Sequence, residues 1–409
     1  MTARGTSELV GEGQTLGVAL LLSLLGIAVI YSAGQVDIPT TPDRYWVRQA
    51  IWLALSLGAF LAIRRVSLGL LQWVAPWLYA ISVLLLVFVL VFGVGPGGSW
   101  IELGVGRFQP SELAKMATVL MLAKTVTRRE ARRAGDRRLS RYAKPTLTAG
   151  IPTVLVLLQP DLGSAMIFPL LLLAALYWTG AHPLHILWIS SPMVGLVAGA
   201  TWWIWGIWFG VVLLSFRLGP VRPFLSEGVA VLIANAATGA ATIPLWNSLR
   251  PYQQDRLLVF LDPQRDPRGA GWNLIQSQVA IGSGGAFGQG YAAGPQKRLA
   301  FLPERHTDFV FSVVGEELGF VGVAVFLFLF WLLLRRLLRI SAVAGDSFGG
   351  VAVFCLLAAL TAHAVVNIGM TIGLFPVTGL PLPFVSYGGS FLLFTFAALA
   401  VAQRTAAEA

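Results

Sequence analysis

Hydrophobic positions in this chain come in long unbroken runs. They show neither the alternation of half-buried strands nor the narrow stripes of soluble helices. Apolar runs lie near residues 15–33, 49–63, 69–94, 111–123, 146–158, 162–180, 184–200, 201–216, 228–247, 309–334, 348–369 and 389–403. Residues 184–216 are one continuous run, too long for a single span of about 20 residues, and divide near Gly199. Alternating segments of the transmembrane barrel type are absent. The pattern predicts an all-α polytopic integral membrane bundle of about ten to twelve helices, one transmembrane domain over 1–409.

Composition sharpens this. Of 409 residues, 56% are hydrophobic and 12% charged, against about 25% charged in soluble domains. Glycines and prolines are spread through apolar runs, which excludes a disordered chain. The one cysteine, Cys355, allows no internal disulfide and no cysteine metal site. The N-terminal run is expected to stay in the mature chain. It is long, lacks a small-x-small cleavage site, and is followed by further spans.

The net charge of +10 informs by position. The connector 124–144 holds Lys124, Arg128, Arg129, Arg132, Arg133, Arg137, Arg138, Arg141 and Lys144. Placing it in the cytoplasm also places Arg4, Arg64, Arg65, Arg217, Arg222, Arg335, Arg336, Arg339 and Arg404 there, as the positive-inside rule requires. Both termini are then cytoplasmic. Nucleic-acid binding is not expected, because Tyr142 is the only aromatic among these cations and a stacking site needs several.

The same topology puts a long loop, 248–308, on the outer side. It contains an amphipathic segment, Trp272–Ile281, with Trp272, Ile275 and Val279 on one stripe. Its cations are Arg250, Arg256, Arg265, Arg268, Lys297, Arg298 and Arg305. Outer positive charge runs against the topology rule. An anionic partner, either membrane-lipid headgroups or a diphosphate, accounts for it. So does a salt-bridged loop built with Asp255, Asp262, Asp266, Glu304 and Asp308.

Ionisable groups at membrane depth point to function. Pro110 sits where a helix begins, with Ser111 and Glu112 in its first turn, and Glu112 and Lys115 are spaced to pair on one face. Gln159–Gly163 forms the junction of two spans, with Asp161 inside it. Pro303–Phe309 opens a further span, with Glu316 and Glu317 about two turns deeper. A structural charge network and a shared polar cavity both fit. A carboxylate at a helix start beside cations suits deprotonation of a sugar hydroxyl, and the cations suit a leaving diphosphate. A proton-coupled transporter would use the same inventory.

Other signals exclude more than they assign. Gly282–Gly290 fails the dinucleotide fingerprint, and no phosphate-binding P-loop exists. The histidines lack metal-ligand spacing, and His363 reads as a packed core side chain. Leu374–Gly389, with Pro376, Pro381 and Pro383, cannot be a regular helix and must be buried or line a cavity. There Ser386 and Tyr387 either offer hydroxyls to a substrate or satisfy free backbone groups.

These motifs together resemble the SEDS family (shape, elongation, division and sporulation). They are Gln109–Lys115, Gln159–Gly163, Asp262–Pro267 with Gly269–Gly271, Ile281–Gly285, Phe301–Phe309, Glu316–Gly319 and Pro381–Ser390, in order across most of 15–405. Asn367–Met370 and Pro303–Asp308 are most similar to its rod-shape branch. The resemblance implies a peptidoglycan glycosyltransferase that polymerises lipid II at the outer membrane face for cell elongation and shape, releasing undecaprenyl diphosphate. It implies a class B penicillin-binding protein as partner. Asp308 matches the essential aspartate; Glu112, Lys115 and Asp161 match supporting polar residues; Trp100 and Arg107 match residues before that helix. Arg305, His306, Lys297, Arg298, Ser386 and Tyr387 are the expected substrate and diphosphate contacts. A divalent cation, magnesium or manganese, is left open. The competing reading is a lipid II flippase. The family usually has ten spans, whereas 184–247 here is long enough for an added pair containing Trp202, Trp203, Trp205 and Trp208.

Overall fold

The computed structural model describes residues 2–36, 44–95, 98–102, 107–127, 138–249, 251–267, 269, 271–345 and 347–409, with backbone alone for 2–12 and 252. Arg128, Arg129, Arg132, Arg133, Arg137, Arg250 and Arg268 lie outside the described residues, as does the Arg4 side chain.

Every apolar run is a helix. In order these are α1 (Thr2–Ala33), α2 (Tyr45–Ile63), α3 (Leu68–Phe92), α4 (Pro110–Val126), α5 (Ala143–Leu157), α6 (Leu162–Trp178), α7 (Pro183–Ala198), α8 (Trp202–Leu218) and α9 (Leu225–Ser248). Three short helices follow: α10 (Pro251–Leu261), α11 (Trp272–Ser283) and α12 (Pro295–Arg298). The chain closes with α13 (Val310–Ala344), α14 (Phe348–Thr371) and α15 (Gly389–Glu408). A small antiparallel hairpin, β1 (Ile101–Glu102) with β2 (Arg107–Phe108), precedes α4. Among the described residues, 7 helices are long and apolar enough to cross a membrane, and α6, α7 and α8 are shorter apolar helices. The chain is thus a multi-pass helical membrane protein.

Helix α14 is the central post, packed against α13, α6, α4 and α15. Helices α7, α8 and α9 form an outlying group joined to the rest mainly through α6. Asn235 pins that group from within: its Nδ2 donates to Ser191 Oγ at 2.7 Å, and Trp208 Nε1 donates to its Oδ1 at 3.3 Å. The division near Gly199 is observed, since Gly199 caps α7.

Two expectations change. Helix α13 continues to Ala344, beyond the apolar run, because Arg335, Arg336 and Arg339 end the hydrophobic span without ending the helix. Helix α11 forms as expected but buries Leu274, Ser277 and Ala280, leaving Val279 on the exposed side. Small residues allow the close approach: Ser277 Oγ lies 2.6 Å from Ser312 Oγ on α13 and donates to Thr371 O at 2.7 Å.

Helix α13 breaks at Gly319, where φ is 61°. The glycine-rich segment supplies the missing backbone partners. Phe320 N and Val321 N donate to Gly285 O and Ala286 O; Gln289 N and Gly290 N donate to Glu316 O and Glu317 O. Those glycines serve close backbone packing. A Cβ on Gly288 would collide with the Glu317 carbonyl.

The segment 372–388 is irregular and, from Leu382 to Ser386, buried. Helix α1 lies against it at Gly26, where an added Cβ would come 2.7 Å from Val385 Cα. This packing holds the segment over one end of the bundle. The same end carries Tyr45, Gln109, Asp161, Asp308 and Ser390 at the starts of α2, α4, α6, α13 and α15. The opposite end carries Arg64, Lys124 and Arg404 at or near the ends of α2, α4 and α15.

Candidate active site

Asp308 sits in the turns leading into α13, two residues before the helix begins. Its backbone is fixed, and its carboxylate is not. Asn367 Nδ2 donates to Asp308 O at 3.0 Å and to Leu380 O at 2.7 Å. Among the described residues no hydrogen bond or ion pair engages the Asp308 carboxylate. Burial pushes it up to about 6, with the nearby Glu304 charge raising it further and Arg256 opposing. An aspartate poised there is a base able to work at neutral pH.

The residues flanking Asp308 are tied to the irregular segment. Ser386 Oγ donates to Thr307 O at 2.7 Å and accepts from Leu382 N at 2.8 Å. Ser386 therefore joins backbone groups of the two stretches. Tyr387 N donates to His306 O at 2.8 Å, and the His306 ring stacks on Tyr45 with centroids 4.2 Å apart. Tyr387 lies 4.8 Å from the same Tyr45 ring, so His306 and Tyr387 form an aromatic group beside the base. From α2, Gln49 Nε2 donates to Ser386 O at 3.1 Å.

A second polar centre lies inside the bundle. Pro110 opens α4, as its fixed φ favours, and Glu112 falls in the first turn. Lys115 Nζ donates to Glu112 Oε1 at 2.8 Å, with the lysine fully enclosed. It also lies 3.0 Å from His363 Nε2 and over the rings of Phe391 and Phe394. His363 is a buried core side chain packed on Phe391, as its sequence reading has it, and it is also a polar partner of Lys115. Its lysine lies on another helix, a contact no local spacing reveals. Asp161 caps α6 by accepting from Ser164 N at 2.9 Å and takes Gln109 Nε2 at 3.1 Å, which ties the starts of α4 and α6.

The hairpin leans on this end of the bundle. Ser390 Oγ donates to Arg107 O at 3.5 Å, and Ser99 Oγ donates to Gln159 O at 3.2 Å. The Trp100 ring and the Arg107 guanidinium both approach Gly95, and Arg107 faces Glu102 at 3.7 Å.

The loop cations separate. Lys297 is wholly buried: its Nζ donates to Glu317 Oε1 at 2.5 Å and to Ser32 Oγ at 2.6 Å, so it is withdrawn from any outer ligand. Arg305 donates from Nε to Ala33 O at 2.6 Å, which turns it toward the end of α1. Arg298 is exposed at the end of α12. Arg265 is exposed, and Asp262 and Asp266 accept from Gln264 N and Gly269 N without pairing with it. The cation whose field reaches Asp308 is Arg256 on α10, which donates to Val377 O at 3.5 Å. The sequence showed Arg256 as one loop cation among several; only the fold of α10 against the irregular segment singles it out.

Comparison with known proteins gives one consistent picture. The FtsW/RodA/SpoVE model, described as "Cell cycle protein", matches residues 14–409. The chain is 37% identical over 388 residues to peptidoglycan glycosyltransferase MrdB of Escherichia coli K12, covering 94% of this chain and 90% of that one. It is 33% identical over 424 residues to peptidoglycan glycosyltransferase RodA of Treponema pallidum, covering 96% of each. Among solved structures, a chain of a peptidoglycan synthase complex, studied for how polymerization and crosslinking are coordinated, aligns with TM-score 0.70 at 32% identity. That alignment covers 96% of this chain and 97% of the other. Thermus thermophilus RodA aligns with TM-score 0.61 at 28% identity over 96% of each.

Proposed function

The chain belongs to the FtsW/RodA/SpoVE family, and we propose that it is a peptidoglycan glycosyltransferase polymerising lipid II into glycan strands. The observation that carries this reading is Asp308: a half-buried, unpaired carboxylate with a raised proton affinity, held at the backbone and left open at the side chain. Asp308 takes the proton of the acceptor GlcNAc 4-hydroxyl as that oxygen attacks C1 of the donor MurNAc with inversion. Undecaprenyl diphosphate leaves. Arg256 is the cation best placed to meet it, with Arg107 and Arg298 exposed nearby in the chain's outer segments and Lys297 excluded by burial.

The carboxylate-bearing end would face outward and the cationic helix ends, with both termini, the cytoplasm. Segment 248–308 would then be a structured extracytoplasmic cap on a single transmembrane domain, and 184–247 would hold the added pair of spans. A class B penicillin-binding protein would crosslink the product. Among the described residues no three His, Cys, Asp or Glu side chains converge as a metal site. Magnesium or manganese bound with the diphosphate would need only one or two carboxylates from the chain.

The test is polymerisation of purified lipid II by the purified chain, with and without its transpeptidase partner. Glycan product from wild type, and none from Asp308→Asn, supports the reading. Translocation of lipid II without polymerisation would replace it with the flippase.

A further inference from the structure

The two polar centres are not independent. On α14, His363 and Asn367 stand one turn apart and face the same irregular segment. Asn367 holds Leu380 O, and His363 Nδ1 lies 3.3 Å from Pro381 O, the next carbonyl along. In the other direction Asn367 holds Asp308 O, while His363 Nε2 meets Lys115 Nζ. A lysine can only donate, so Nε2 accepts. The proton is then on Nδ1, directed at Pro381 O. Phe391, tilted 31° to the imidazole with centroids 4.5 Å apart, fixes the ring plane.

We propose that His363 is a positioning residue for glycan polymerisation, coupling the Lys115–Glu112 pair to the carbonyls that, through Asn367, seat the Asp308 backbone. This rests on the glycosyltransferase reading above. Three features of the site support it. The Glu112–Lys115 hydrogen bond lies within a single helix, so it joins α4 to nothing else by itself; Lys115 reaches beyond α4 at His363 and at the Phe391 and Phe394 rings. His363 is the one hydrogen-bonding side chain on Lys115 from another helix among the described residues. The carbonyls it and Asn367 hold are adjacent in the segment whose Ser386 also holds Thr307 O. Imidazole suits the task because it accepts at one nitrogen and donates at the other along a fixed line. Glutamine can reproduce both bonds through its Oε1 and Nε2, whereas leucine matches bulk alone.

The experiment measures initial rates of lipid II polymerisation against lipid II concentration, for purified chain with its partner, alongside melting temperature. Wild-type activity is the control on the functional reading: with no wild-type product, that reading fails, whatever His363 does. Given wild-type activity, His363→Leu should lose at least tenfold in kcat with KM within threefold. His363→Gln should recover to within threefold of wild type. Asn367→Leu should resemble His363→Leu. If His363→Leu does not fold, His363→Gln decides alone: folded and active supports the coupling, folded and inactive overturns it. Wild-type kcat for His363→Leu, or equal impairment of folded leucine and glutamine variants, also overturns it.

Discussion

Two buried lysines each face a glutamate, and they do different work. Lys297 joins three stretches of chain far apart in sequence, through Ser32 at the end of α1 and Glu317 beside the break in α13. That is a fastener: remove it and α1, α12 and α13 lose a shared anchor. Lys115 and Glu112 are three residues apart on α4, so their bond fixes nothing that the helix does not already fix. Burying such a pair costs desolvation, and its contacts beyond α4 are those of Lys115 with His363 on α14 and with the Phe391 and Phe394 rings on α15. One oxygen, Glu112 Oε2, is buried without a partner, which adds to the cost. On the proposed function, such a pair would serve the site through His363. The comparison sets an ion pair that joins separate elements against a local one whose reach beyond its helix runs through neighbouring side chains.

The largest effect should fall on neither lysine but on Asp308. Asp308→Asn should lower the polymerisation rate by about 10²–10⁴-fold, the usual contribution of a general base, with melting temperature unimpaired. Substantial product from the folded variant would move the site elsewhere. Next come the lysines themselves. Lys115→Ala and Lys297→Ala should each cost about 3–5 kcal/mol, measured by denaturation, since each leaves a buried carboxylate without its cation. They should separate when both partners are replaced. Lys297→Met with Glu317→Met should regain stability and activity together. Lys115→Met with Glu112→Met should regain stability and stay inactive. Equal recovery of activity in both doubles would erase the distinction.

Much of this was legible in the sequence, and the limits have physical causes. Helices, the Gly199 division and the Glu112–Lys115 bond follow from local spacing. The pairing of Lys297 with Glu317 and of His363 with Lys115 does not, because those partners meet only through the fold. Helix α11 shows a second limit. In lipid an apolar stripe is stable facing outward, so Trp272, Ile275 and Val279 did not mark its buried side. The small residues Ser277 and Ala280 did.

A smaller effect concerns pH. Asp308 is held above its ordinary value, at about 6, so the folded chain binds that proton more tightly than the unfolded one. Its stabilising contribution is present below the unfolded value and is lost as pH rises through about 6. Asp308→Asn should therefore raise the melting temperature at pH 7–8 and leave it unchanged near pH 4. The wild-type rate should climb tenfold per pH unit below about 6 and level above it. A flat profile there would remove Asp308 as the base. Smallest of all, Arg256→Ala should move that limb upward by less than one pH unit, since exposed charges couple weakly. Arg265→Ala should not move it. A shift with Arg265→Ala instead would assign the neighbouring cation wrongly.

The break at Gly319 also settles how the chain carries load. Residues 285–290 and 316–321 are pinned together by backbone bonds in both directions. The stretch between them, which holds Lys297, Arg305 and Asp308, is a lobe hung from one clasp. Ahead of that clasp, α11 is already pinned by Ser277 to Ser312 on α13 and to Thr371 O on α14. The lobe also grips the bundle on its own account, at Ser32 and Ala33. Asp308 therefore sits in a lobe attached at several points, among them the Asn367 contact to its own carbonyl.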